Sequence, residues 1–338
     1  MSSPSTINSK KIIAVVGATG NQGGSVARTF LSLPHWHVRC LTRSPASQAS
    51  QTLRDLGAEI VQADLGDISS LRRAFSNVHA IFLNTDFWTV FRPAMASGKD
   101  EVEAGKLAFE TEFSNGKNAA MAAAEVPTLE RLVFSALGPM ERASNGKYKT
   151  YHWAGKSSIA DYIETELPEL AQKKLSVIYL GAYNTNQFVA APVRIPPAQT
   201  EGQDNYGFVL PFPKETRIPI VDPIEATGLF VRALIEDEPA GTKLLAYNES
   251  SYLDFESLMD IWSRVTGKKM VYVQTTVEAL HEMTGLPREI LLGGAYLGEF
   301  DYCAGVEGVI EPHQLKHKVQ TKSFEEWLKE GHLKDKIV

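Results

Sequence analysis

The chain has 338 residues, enough for one large domain or a domain plus a smaller lobe, and 43% hydrophobic with 22% charged residues is ordinary for a globular protein. A formal net charge of −6 gives no basic surplus and argues against direct nucleic-acid binding, while two cysteines, Cys40 and Cys303, are too few for a disulfide framework or a four-ligand zinc site. No apolar run approaches the roughly 20 residues that cross a bilayer, and the opening MSSPSTINSKK has no signal-peptide core, so no membrane contact and a cytoplasmic or nuclear location are expected.

Apolar, β-rich runs predict strands at Ile12–Val16, Trp36–Leu41, Glu59–Gln62, Ala80–Asn84, Leu132–Ser135 and Leu175–Leu180. Between them, helical periodicity is predicted at Ser25–Leu33, Gln48–Leu56, Ser69–Phe75, Lys117–Ala124 and Ser157–Thr165. Strand alternating with helix implies parallel pairing through right-handed crossovers, an α/β doubly wound sheet with its ligand crevice at the carboxyl ends of the strands. After about residue 181, Pro192, Pro196, Pro197, Pro211 and Pro213 break the rhythm as far as Arg217, which predicts loops and short strands. Helical patterns return at Pro223–Ile235, Phe255–Thr266 and Thr276–Met283, and Ser-Phe-Glu-Glu from Ser323 has the form of a capping box. Residues 1–181 are therefore expected to form the doubly wound domain and residues 182–338 a smaller α+β lobe closing over it, with interleaving of the two left open.

The stretch VVGATGNQGGS, Val15–Ser25, follows the first strand at once and leads into a helix. In that context Gly17 permits a tight turn, Gly20 lets the backbone approach a pyrophosphate, and Gly23 lets helix pack closely on strand. Helical amides and the positive end of the helix dipole then face the phosphates. The same glycines also suit a plain turn. At the tip of the second strand stands Arg43, with no acid beside it, which favours a 2′-phosphate and hence NADP(H) over NAD(H). Arg43 also suits a solvated loop, and Asp64 suits either an adenine contact or a helix cap.

The segments VVGATGNQGGSVAR, LTRSP, ADLGD, FLNTDFW, HWAGK and LGAYNTNQF, in this order and spacing, resemble the NmrA-like family, a branch of the atypical short-chain dehydrogenases/reductases. The resemblance runs from about Lys11 to the C-terminal helix. It implies a Rossmann domain binding NADP(H) and a C-terminal lobe that forms the substrate cleft. Such proteins divide into redox enzymes and nucleotide sensors that regulate partner proteins, including transcription factors. Residue by residue, the resemblance implies a phosphate loop of Gly17, Thr19, Gly20, Asn21, Gln22 and Gly23, with Arg43 reading the 2′-phosphate. Asp64 and Leu65 match the adenine pocket, and Thr85, Asp86 and Phe87 match a loop beside the cofactor, with Asp86 standing where asparagine is the family pattern. Lys156 matches the lysine at the nicotinamide ribose, and Tyr183, Asn184, Thr185 and Asn186 match a loop over the nicotinamide.

Carbonyl reduction with NADPH needs an acid beside the developing oxyanion. Short-chain dehydrogenases supply it from Tyr-x-x-x-Lys, and here the tyrosine position is His152, four residues before Lys156. Tyr151 would lie about 140° round a regular helix from Lys156, against about 40° for His152. Three readings of this segment stand: His152 as proton donor with Lys156 orienting the ribose, cofactor binding by Lys156 alone, or a structural helix. Ser135, ending the fifth strand, matches the position of a substrate-orienting hydroxyl and equally suits an ordinary strand end.

Other motifs carry less. Gly155-Lys156-Ser157 lacks the earlier glycine of a phosphate-binding P-loop, Asn248-Glu-Ser250 is a sequon without a secretory signal, and His313 with His317 lacks a third ligand for a metal site. The aromatics Phe87, Trp88, Phe91, Trp153, Tyr183, Phe188, Phe300 and Tyr302 crowd the expected crevice rim and suit either core or an apolar, aromatic small-molecule substrate such as a quinone or enone. Two functions follow: an NADP(H)-dependent oxidoreductase, or a non-catalytic NADP(H) sensor that binds a regulatory protein partner.

Overall fold

In the computed structural model, residues 10–195 and 205–331 are described. The first half alternates as β1 (Lys11–Val15), α1 (Asn21–Leu31), β2 (Trp36–Thr42), α2 (Gln48–Asp55), β3 (Glu59–Gln62), α3 (Ile68–Ala74) and β4 (Ala80–Leu83). It continues through α4 (Trp88–Ala96), α5 (Glu101–Ala124), β5 (Arg131–Ala136), α6 (Met140–Ala143), α7 (Tyr151–Glu166), α8 (Pro168–Lys173) and β6 (Leu175–Leu180). Then come β7 (Ala182–Tyr183), α9 (Gln187–Ala190), β8 (Val193–Ile195), β9 (Asn205–Leu210), β10 (Ile218–Val221), α10 (Thr227–Glu236) and β11 (Lys243–Ala246). The chain ends its described part with β12 (Tyr252–Leu253), α11 (Phe255–Thr266), β13 (Met270–Gln274), α12 (Val277–Thr284), α13 (Arg288–Leu297), β14 (Val309–Ile310) and α14 (Phe324–Lys329).

The central sheet has eight parallel strands in the order β14-β11-β6-β5-β4-β1-β2-β3. Its first six strands keep the doubly wound order of a dinucleotide-binding fold. Alternate residues of β1 serve opposite faces: Ile13 and Val15 pack with α1 and α10, whereas Ala14, with Val16 just past the strand, packs with α3, α5 and α7. Fully buried Phe30, Phe82, Phe134 and Phe230 each contribute about 1.5–3 kcal/mol by leaving water.

Residues beyond 181 return to this sheet. Strands β11 and β14 extend it past β6, and α10 lies on α1, where Gly228 N donates to Ser25 Oγ at 3.0 Å. The rest of the second half builds two three-stranded sheets, β12-β10-β7 and β13-β9-β8, with α11 to α14 around a core that includes Phe208, Phe212, Phe255, Trp262 and Trp327. Val193–Ile195 and Asn205–Leu210 are the short strands expected in the proline-rich segment, while Pro196 and Pro197 lie outside the described residues. The capping box expected at Ser323 is present, with Ser323 Oγ accepting from Glu326 N. Among the described residues no helix is long and apolar enough to cross a membrane.

Two differences from the sequence-based elements matter for the site. Helix α1 starts at Asn21 rather than Ser25, so Gly23 and Gly24 lie inside its first turns. Helix α5 starts at Glu101, well before Lys117, because its buried stripe of Ala104, Ala108, Glu112, Gly116 and Ala120 is made of small residues interrupted by a carboxylate and has little amphipathic contrast.

Candidate functional site

A cleft of about 1180 Å³ opens at the carboxyl ends of the central strands. Val16, Leu41 to Ser44, Asn84 to Phe87, Ser135 to Leu137 and Leu180 to Tyr183 line it, each group just at or beyond the end of a strand. The opposite wall comes from the second half: Phe188, Ile218, Ile290, Gly293, Gly294 and Leu297.

The glycine loop forms one end. Gly17 has φ +71°, a left-handed conformation that glycine adopts without strain, and Gly20 N donates to Gly17 O at 2.9 Å to close the turn. A Cβ at Gly23 would lie 2.2 Å from Gly17 O, so only glycine lets α1 come this close to the loop. No side chain caps α1, and its first turn carries no acid. Gly17, Thr19, Gly20, Asn21 and Gln22 face the cleft; Gly23 lies behind them.

Arg43, exposed, and Asp64 and Leu65 also line the cleft. Asp64 Oδ1 accepts from Gly66 N at 2.8 Å, and Leu65 O accepts from Asn118 Nδ2 at 2.9 Å. Both turns are thereby fixed from within the chain. Asp86 Oδ1 accepts from Trp88 N at 2.9 Å at the start of α4, so this carboxylate holds the loop that carries Phe87 and Trp88.

In the middle of the cleft, α7 presents His152 and Lys156, one turn apart on one face, whereas Tyr151 packs against Phe109 and Gly105 on α5 and does not line it. Lys156 Nζ donates to Thr85 O at 2.8 Å and to Thr85 Oγ1 at 3.1 Å, and lies 3.3 Å from both Asn84 Oδ1 and Glu112 Oε1. Glu112 is fully buried and accepts from Thr85 Oγ1 at 2.7 Å; its Oε2 has no hydrogen-bond partner among the described residues. His152 Nδ1 is 2.7 Å from Glu289 Oε1, which also accepts from His152 N at 2.7 Å. Ser135 lines the cleft from the end of β5 and is buried.

Over the cleft, Tyr183 accepts from Gln22 Nε2 at 2.6 Å, tying the loop after β6 to the first turn of α1. Burial pushes the Tyr183 phenol up, helped by the Asp86 charge and opposed by the Gln22 hydrogen bond. It is therefore a neutral hydroxyl at ordinary pH. Thr185 and Asn186 line the cleft, and Asn186 Oδ1 caps α9 through Phe188 N. Asn184 does not line it: its side chain is buried behind the loop, and neither amide atom has a partner among the described residues. Gln22 Oε1 and Gln187 Nε2, on two lining residues, are likewise buried without partners there.

Of the rim aromatics, Phe87, Trp88, Trp153, Tyr183, Phe188 and Tyr302 line the cleft. Phe91 stacks beneath Phe87 at 5.2 Å and Phe300 stacks on Tyr296 at 5.1 Å, so both belong to packing. Burial pushes the thiols of Cys40 and Cys303 up to about 12, which leaves neither as a nucleophile at neutral pH. Sequence reasoning missed Glu112 and Glu289. For Glu112 a signal existed, a lone carboxylate in a stripe of small residues; Glu289 joins the site only through tertiary packing.

A model of the NmrA-like family matches residues 9–328. The chain belongs to the NmrA-like family. Among curated relatives, the NmrA-like family domain-containing oxidoreductase FrzB of Cladobotryum sp is 30% identical, with 93% of this chain and 96% of that one covered. The oxidoreductase hkm9 of Aspergillus hancockii, similarly named, is 30% identical over 77% of this chain and 73% of its own. Among solved structures, this NmrA-like chain is similar in fold to NmrA, a negative transcriptional regulator solved in complex with NADP (TM-score 0.67, 18% identity, 97% of this chain and 98% of that one). It is similar in fold also to isoflavone reductase (TM-score 0.66, 15% identity, 96% and 100%).

Proposed function

We propose that this NmrA-like protein is an NADP(H)-dependent oxidoreductase acting on a small, largely apolar carbonyl, quinone or enone compound. One observation carries the reading: the cleft that starts at the glycine loop also contains His152, whose Nδ1 is engaged by Glu289 and whose other ring nitrogen has no protein partner among the described residues. The relatives named as oxidoreductases support it.

The residues fit the nucleotide. The bare backbone of Gly17 and Gly20, both lining the cleft at the start of the uncapped α1, suits a pyrophosphate, and the exposed Arg43 with no acid beside it suits a 2′-phosphate. When bound, NADPH supplies the two electrons of a carbonyl reduction. The doubly protonated ring of His152 then gives its Nε2 proton to the carbonyl oxygen, is left as the neutral Nδ1–H imidazole, and recovers a proton at Nε2 from water. Lys156, held on Thr85 and Asn84, keeps a positive charge beneath the cofactor site, and Ser135 offers a hydroxyl to orient the carbonyl. Trp88, Trp153 and Phe188 exclude water and select apolar substrates.

The test is a single turnover: load the protein with NADPH, add a panel of quinones, enones and aldehydes, and follow the reduced nicotinamide. Loss of signal with any compound, abolished in His152→Phe with NADPH affinity retained, supports the reading. Turnover that survives His152→Phe removes the proton-donor role.

A second reading, a non-catalytic NADP(H) sensor for a regulatory protein, is favoured by Lys156. Its ammonium has four protein acceptors around it for three hydrogens and needs no reacting group to satisfy it. Equal capture of a partner protein by NADP-loaded and empty chain removes that reading.

A further inference from the structure

We propose that Glu289 is a positioning residue for His152, supplied by the second half of the chain to fix which ring nitrogen faces the cleft. This rests on the proton-donor reading of His152.

Glu289 Oε1 has two neighbours on the same residue, the backbone N and the ring Nδ1 of His152, both at 2.7 Å. A backbone N–H can only donate, so Oε1 accepts there, and an oxygen used as a carboxylate acceptor takes Nδ1–H in the same role. With hydrogen fixed on Nδ1, protons enter and leave the ring only at Nε2. The pair is dry: the His152 side chain is 15% exposed and that of Glu289 is 6% exposed, so the interaction is weakly screened. Trp88, with its ring centroid 5.2 Å away, and Phe87, at 6.0 Å, confine the imidazole from the other side.

Glu289 is itself held. Its backbone N donates to Glu101 Oε1 at 2.6 Å, which joins the start of α13 to the start of α5. One turn further along α13, a Cβ at Gly293 would come 4.0 Å from His152 Cε1, so the ring lies against the helix that carries its carboxylate. Two helix starts and one carboxylate thus set the ring, and neither glutamate touches a reacting atom. The arrangement has the logic of a carboxylate that orients a catalytic histidine through Nδ1.

The test uses full-length protein with ¹⁵N-labelled histidine, without nucleotide and with NADP+, and the His152 resonances identified by their loss in His152→Phe. In the neutral ring, the expected signature is a protonated Nδ1 and an unprotonated Nε2. Glu289→Gln, which retains an oxygen acceptor, is expected to keep that signature, and Glu289→Ala to lose it for a tautomer average. In the single-turnover assay, Glu289→Ala is expected to slow the reaction by on the order of 10²-fold, with NADPH affinity retained and Glu289→Gln intermediate. A neutral His152 protonated at Nε2 in the unaltered protein overturns the proposal, whether or not any variant folds. An unchanged signature in Glu289→Ala overturns it too. If the tautomer behaves as expected but His152→Phe leaves turnover intact, the proton-donor reading fails while the ring's orientation by Glu289 stands.

Discussion

The carboxylate of Glu112 occupies the space that a side chain at residue 155 would need: a Cβ on Gly155 would lie 2.4 Å from Glu112 Oε2. Helices α5 and α7 meet there, and the same contact sets Lys156, the next residue, above Glu112 Oε1 at 3.3 Å.

Gly155→Ala is therefore expected to push Glu112 aside and lower stability by about 1–3 kcal/mol through overpacking. Glu112→Ala strips Lys156 of its buried counter-charge and is expected to cost more, about 3–5 kcal/mol. Chemical denaturation of the two variants ranks the costs. A neutral Glu112→Ala would mean that the ammonium is satisfied by Thr85 and Asn84 alone.

Gly23 and Gly24 make a matched pair. Gly23→Ala places a methyl against the backbone of Gly17, which cannot yield, and is expected to weaken NADPH binding at least about ten-fold along with a fall in Tm. At Gly24 the nearest atoms are the flexible Arg28 guanidinium at 3.2 Å and Ala18 O at 3.3 Å, a shift of a few tenths of an ångström rather than a clash, so Gly24→Ala is expected to be much milder than Gly23→Ala, offset by up to about 1 kcal/mol of helix propensity. Fluorescence titration with NADPH separates them, and equal affinities would show that the loop moves as a unit.

Arg43→Asp reverses the charge at the proposed 2′-phosphate contact. It is expected to weaken NADPH by about 2–3 kcal/mol relative to NADH. Paired titrations with the two nucleotides give the ratio directly, and an unchanged ratio would assign the phosphate to another group.

Glu236, on α10, fastens the second half of the chain to the first. It accepts from Trp36 Nε1 and Arg232 Nε at 2.7 Å and lies 2.7 Å from His35 Nε2. Burial alone would raise its carboxyl, but bonds from Arg232, Trp36 and His35, with the Arg232 charge, outweigh burial and leave it below the ordinary glutamate value of 4.5. A depressed carboxylate stabilises the fold above its unfolded pKa, and that contribution fades as pH falls through the folded value. Glu236→Gln is expected to cost about 1–2 kcal/mol at pH 7, with the difference from the parent chain shrinking below pH 4.5. Thermal melts across pH 3–8 test this; a gap that widens in acid would reverse the sign.

The first six strands were readable because each holds a short apolar run, in β4, β5 and β6 buried on both faces, a pattern that survives without knowledge of its neighbours. Their observed limits stay within a residue or two of the expected ones, as in Trp36–Thr42 for Trp36–Leu41. The glycine loop was readable for a similar reason, since its chemistry is local. Strand β11 gave no such signal: only the pairing of Lys243–Ala246 with β6 makes it part of the central sheet. Helix α13 was not anticipated, and with it went Glu289, whose neighbour His152 is 137 positions away. The cleft's far wall is assembled from such distant pieces, which local periodicity does not encode.

The late return of β11 to the sheet also sets the order of events on the ribosome. Strand β6, Leu175-Ser-Val-Ile-Tyr-Leu180, is buried along its whole length in the finished protein, with β11 on its outer edge. At about 5–20 residues per second, the roughly 60 residues separating the two take on the order of 3–12 s to synthesise. For that interval the nascent sheet ends in a bare apolar edge, a template for pairing with a neighbouring chain. Nascent chains that end before Lys243 thus present the edge of β6 that β11 covers in the finished protein.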